Sequence, residues 1–213
     1  LKKYFIFTMK NILLPIFYLP PISWFSAFLD QENEITFEKF ENFPKQTFRN
    51  RANIYGANGT LSLIIPISHN GKRAYRETEI SYREDWQKLH WKSIKTAYQS
   101  SPYFEYYEDK LSKIFSNQEK NLMDFNLKTL EIILNILKAE KEFTFTEEYF
   151  REPKETDLRE HFSAKNPSDH TPEEYYQTFS DKHGFIKDLS IIDLLCNKGP
   201  ESATYLKNIK QAY

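Results

Sequence analysis

The 213 residues carry 29 basic and 30 acidic side chains, a net charge of −1, so no global field draws the chain to nucleic acid or an anionic membrane. Apolar residues make up 40% and aromatics 16%, which predicts one sizeable, aromatic-rich globular core rather than a disordered chain. The single cysteine, Cys196, excludes a disulfide framework and a cysteine-based zinc cluster, and the 5 glycines cannot form a dinucleotide loop or a P-loop.

Residues 1–8 imitate the start of a signal peptide, but Lys10, Asn11 and Pro15 interrupt the apolar run and no small-residue cleavage site follows. They read as an extension upstream of Met9, and no uncharged stretch of about 18 residues is long enough for a membrane span. The expected compartment is the reducing cytoplasm. Residues 11–19 form an apolar run stopped by Pro20-Pro21, the pattern of a buried strand, and residues 22–29 are dense enough in apolar side chains for a buried helix. Residues 34–40 alternate as a second strand.

The stretch from Glu38 to Gly59 is polar and basic where its flanks are apolar, which marks it as the candidate working surface. Read as a strand, residues 45–54 place Lys45, Thr47, Arg49, Arg51 and Asn53 on one face and Gln46, Phe48, Asn50, Ala52 and Ile54 on the other. Positions two apart lie roughly 6.6 Å from each other, which suits capture of adjacent phosphate or carboxylate groups by arginine forks. A solvated basic face that discourages edge pairing has the same pattern. Asn58-Gly59 predicts a tight hairpin turn, residues 61–67 its returning strand, His69-Asn70-Gly71 a further turn and residues 77–82 another strand.

From Asp85 the period becomes helical. One helix follows Asp85 as its N-cap, a second starts at Ser101-Pro102, and a third covers residues 122–139. Residues 142–149 return to alternation. Residues 151–172, charged and proline-containing, read as a long loop or arm, and a short helix through Leu195 closes at Asn197-Lys198-Gly199-Pro200. The order predicts an α/β fold: a sandwich with a mixed sheet over residues 9–150, and an appended C-terminal helical segment, 151–213, packed on it. Ligands are expected beyond the carboxyl ends of the strands.

His90 shares a helix face with Trp86 and Ile94, so it reads either as a packed histidine or as a general base. Glu38 and Glu41 precede the basic stretch and fit either ordinary surface carboxylates or groups that orient an arginine or take a proton. His161, His170 and His183 lack metal-ligand spacing, so no metal is expected. Cys196, inside an apolar helix, is expected to pack.

Several pieces taken together resemble the WbqC-like proteins over nearly the whole chain from Met9. They are FYLPPISWF at 17–25, Lys45-Gln46-Thr47 with Arg49-Asn50-Arg51, the following Asn58-Gly59, Pro66, the block from Asp85 to Asp109, and the tail DLSIIDLLCNKGPES. Many members have Gln-Pro where this chain has Pro15-Ile16, and Gly-Tyr where it has Ser23-Trp24. The resemblance implies a part in surface-polysaccharide biosynthesis of the O-antigen type. On that reading the chain is a transferase that passes an acyl or aminoacyl group to an amino sugar carried on a nucleotide diphosphate. Lys45, Gln46, Arg49, Asn50 and Arg51 would bind the ligand, His90 or Glu41 would be the catalytic base, and Tyr18 and Trp24 would line the sugar or base pocket. The alternative is a non-catalytic sugar-nucleotide or polysaccharide-assembly binding protein using the same face, and a third reading makes residues 85–115 an oligomer interface. No cofactor is assigned.

Overall fold

A computed structural model describes residues 9–68, 71, 73–163, 173–209 and 213. The expectations placed on residues 1–8, on His69-Asn70, on His170 and on the end of the 151–172 loop lie outside these residues.

The chain opens with β1 (Lys10–Pro15), crosses through α1 (Ile22–Leu29) and returns as β2 (Asn33–Glu38) parallel to β1, with Lys10 opposite Asn33 and Pro15 opposite Glu38. A helical crossover is what a parallel pair requires. The hairpin of β3 (Arg51–Gly56) and β4 (Gly59–Ile64) follows, then α2 (Trp86–Tyr98), α3 (Phe104–Ser116) and α4 (Leu122–Leu137). Two short strands, β5 (Phe143–Phe145) and β6 (Thr156–Asp157), precede α5 (Ser180–His183), α6 (Ile191–Lys198) and α7 (Ser202–Asn208). The sheet order is β5-β2-β1-β6 with every pairing parallel, so Phe145, Glu38, Pro15 and Asp157 end on one edge. The class is α/β as read. The antiparallel pair β3–β4 forms its own two-stranded sheet.

Burial explains the first layer. Trp24 stacks on Phe28 at 5.1 Å and on Phe37 at 6.0 Å, fastening α1 to β2, and such contacts add to the area the rings remove from water. No helix among the described residues is long and apolar enough to cross a membrane.

Five local expectations are corrected. The strand over 11–19 stops at Pro15, because residues 16–20 leave the ladder and Leu19 takes φ 40. The strand over 45–54 exists only from Arg51. Upstream, Gln46 has φ 61, the Thr47 hydroxyl donates to the Pro44 carbonyl at 3.2 Å, and such local side-chain bonds compete with a ladder. Residues 77–82 form no strand; a 3₁₀ turn at Tyr75–Glu77 gives way to single bridges, Ile67 with Ile80 and Glu79 with Asn121. The second helix starts at Phe104 rather than at Ser101, whose hydroxyl donates to the Tyr98 carbonyl at the end of α2. The loop after 151 carries β6, which pairs with β1, and buries Leu158 and Arg159.

Candidate functional site

The carboxyl edge of the parallel sheet gathers five charged side chains, Glu38, Glu41, Arg49, Asp157 and Arg159. Glu38, the last residue of β2, is fully buried; its Oε1 accepts from the Phe40 N–H at 2.7 Å and the Thr146 hydroxyl at 3.0 Å. Its Oε2 meets Arg159 Nη1 at 3.3 Å. Arg159, two residues beyond β6, also donates from Nε and Nη2 to the two oxygens of Asp157, at 2.9 and 2.6 Å. Burial pushes the Asp157 carboxyl up, but the bonds from Arg159 outweigh it and hold the group below the usual carboxylate range.

A second pair lies beside the first. Arg49 grips Glu41 bidentately, Nε to Oε1 and Nη2 to Oε2, both at 2.6 Å, and its Nη2 also reaches the Arg159 carbonyl at 3.3 Å. The guanidinium rests 5.5 Å from the Phe17 ring centroid. Burial raises the Glu41 pKa from its ordinary value, and Arg49 pulls in the opposite direction. Over these pairs opens a cavity of about 730 Å³, lined by Glu41, Lys45, Arg49, Arg151, Asp157 and Arg159 among others.

Residues 42–46 run as a wall between this cavity and another of about 880 Å³, whose lining includes Asn50, Arg51 and Arg73. Asn42, Lys45 and Gln46 line both. Of the residues read from the sequence, Glu41 and Arg49 therefore open onto the first cavity, Asn50 and Arg51 onto the second, and Lys45 and Gln46 onto each. Arg49 and Arg51 do not share a strand face. The wall separates the cavities they line, and the Arg49 head folds back onto Glu41.

His90, Tyr18 and Trp24 lie in the core and line neither cavity. The Tyr18 hydroxyl and His90 Nδ1 are 3.0 Å apart, and the His90 ring packs edge-on against Trp86 at 5.1 Å. Burial lowers the His90 pKa to about 4, against a hydrogen bond at the Ile64 backbone that acts upward, so the ring is neutral at pH 7. Trp24 donates from Nε1 to the Pro15 carbonyl at 3.0 Å. Cys196 is buried, as read.

Sequence reasoning missed Arg159, Asp157 and Arg73. The first two sit in a charged, patternless run, where a two-residue strand leaves no periodic signal. Among the described residues no group of His, Cys, Asp and Glu could hold a metal ion.

The chain matches the WbqC-like protein family over residues 17–171, a span that contains both cavity linings. It is similar to the uncharacterized protein Rv1507c of Mycobacterium tuberculosis, 23% identical over 223 residues that cover 91% of this chain and 96% of the relative. No solved structure matches it.

Proposed function

Because the chain belongs to the WbqC-like protein family, we propose that it is a cytoplasmic enzyme of surface-polysaccharide biosynthesis, transferring an acyl or aminoacyl group to a nucleotide-linked amino sugar. One observation carries the reading: the carboxyl ends of the parallel strands meet a cavity that holds a buried carboxylate, Glu41, beside several cations, the place where open α/β sheets bind ligands.

In this reading the sugar amine forms a bond to the acyl carbon, the donor's leaving group departs, and the amine proton passes to Glu41. Arg49 positions that carboxylate, and Lys45 or Arg151 offsets the charge that develops on the acyl oxygen. Glu41 takes the base role in preference to His90, whose ring lines neither cavity. Gln46 contacts the ligand from the wall.

The test is turnover. The purified chain incubated with nucleotide-linked amino sugars and acyl or aminoacyl donors should yield an acylated sugar by mass spectrometry. Glu41→Gln should slow its formation by roughly 10²–10⁴. A full set of donors giving no product would overturn the transferase reading.

The second reading is a non-catalytic binding protein, favoured by the bidentate Arg49 grip that occupies both Glu41 oxygens. It expects nucleotide sugars to bind and to be recovered unchanged.

A further inference from the structure

We infer that the larger cavity, behind the 42–46 wall, is a binding site for the diphosphate group of a nucleoside diphosphate, held by Arg51, Arg73 and Lys45. The charge balance carries this. Three cations line the cavity and no carboxylate does among the described lining residues. None of the three makes an ion pair among the described residues, whereas in the neighbouring cavity Arg49 and Arg159 are already spent on Glu41, Asp157 and Glu38.

Arg51 adds an independent sign. Its Nε is shielded from solvent and has no hydrogen-bond partner. A buried donor without an acceptor is costly, and a ligand oxyanion relieves that cost. Register explains the placement: Arg51 opens β3 opposite Ile64 of β4, so its backbone is fixed while the residue lines the cavity. Lys45 and Arg73 are exposed, which gives the anion an open approach. Three cations around one cavity match a group carrying two to three negative charges better than a single carboxylate. Half-buried Phe43, also in the lining, offers the aromatic surface a base would use.

The nucleoside half of the assignment rests on the nucleotide-sugar reading above, whereas the anion half does not. The experiment is calorimetric titration of the full chain with inorganic pyrophosphate, UDP and uridine at low and high salt. Pyrophosphate and UDP should bind, UDP more tightly, with uridine far weaker, and added salt should weaken both anions because the site is open. Arg51→Gln and Arg73→Gln should each weaken pyrophosphate roughly tenfold, and Arg51→Lys should weaken it nearly as much because the fork is lost while the charge stays. Arg151→Gln, which removes a cation from the other cavity, should change it less than twofold. Arg73 is exposed, so its variant keeps the test decisive if Arg51→Gln fails to fold. Absence of pyrophosphate binding, unchanged affinity in the Arg51 and Arg73 variants, or a larger loss in Arg151→Gln overturns the proposal. UDP binding no tighter than pyrophosphate overturns its nucleoside half. Binding at this site without turnover defeats the transferase reading alone, and turnover without pyrophosphate binding defeats this inference alone.

Discussion

Two buried groups, His90 and Asp193, titrate so that they pull stability in opposite directions across mildly acid pH. Asp193, in the first turn of α6, accepts from the Tyr175 hydroxyl at 2.6 Å and Gln177 Nε2 at 2.9 Å, yet burial raises its pKa to about 6. A raised carboxyl contributes stability that is present below about pH 4 and lost as pH rises through about 6. His90, lowered to about 4 from 6.5, contributes stability that is present above its ordinary value and lost as pH falls through about 4. Each shift corresponds to roughly 3 kcal/mol. Relative to wild type, Asp193→Asn should therefore gain in Tm as pH rises from 4 to 6, and His90→Gln should gain as pH falls over the same range. Thermal melts across that window check both; flat differences would mean that the groups titrate as exposed ones. Residue-scale chemistry also separates pairing from catalysis at Glu41. Glu41→Ala leaves a buried, uncompensated Arg49 and should cost about 3–5 kcal/mol in denaturant unfolding, whereas the Glu41→Leu/Arg49→Met double variant should lose much less.

At the element scale, helix ends are where single residues decide. Asn121 caps α4, its Oδ1 accepting from the N–H groups of Met123 at 2.8 Å and Asp124 at 3.2 Å; Asn121→Ala should cost about 1 kcal/mol by chemical denaturation. Gly199 ends α6 with φ 55 and ψ −125, and a Cβ there would come within 2.4 Å of the Tyr103 ring. Gly199→Ala should lose about 2 kcal/mol or more, from backbone strain and overpacking together. In a Tyr103→Ala background the loss should shrink without vanishing, because only the overpacking is relieved. The helical period marked α2, α3 and α4 because each has a half-exposed face; α2 starts after Asp85 and α4 at Leu122 as read, whereas α3 starts at Phe104, and neither Asp85 nor Tyr103 makes a side-chain cap bond.

Over the whole molecule, the C-terminal segment completes the first helix. The cap residue of α1, Pro21, has no side chain that could cap. Asp188 supplies the bonds instead, accepting from the Ser23 N–H and hydroxyl, both at 2.8 Å, across 165 residues of chain. Leu189 accepts from the Ile22 N–H, the Ile191 N–H donates to Pro20, and the Ser26 hydroxyl reaches Leu206. Segments so interleaved should melt together. Calorimetry should show one transition, and Asp188→Ala should lower its midpoint, by about 1–2 kcal/mol in stability, without producing an earlier step for the tail. A separate low-temperature transition would indicate that the 151–213 segment is an independent unit.

What the sequence determined by itself is what depends on neighbours close in the chain. Apolar density located α1, apolar periodicity located the three central helices, Asn58-Gly59 located the β3–β4 hairpin, and the balanced net charge made any anion site a local one. The basic stretch around Arg49 and Arg51 was visible because charge needs no fold to be read. Its geometry was not, since alternation presumes an extended backbone and the positive φ of Gln46 cancels that premise. Only the tertiary structure sent Arg49 to Glu41 and left Arg51 facing a second cavity. Only it brought Arg159 to Glu38 across 121 residues, because that meeting depends on β6 docking beside β1, and two residues of strand are too few to carry a period.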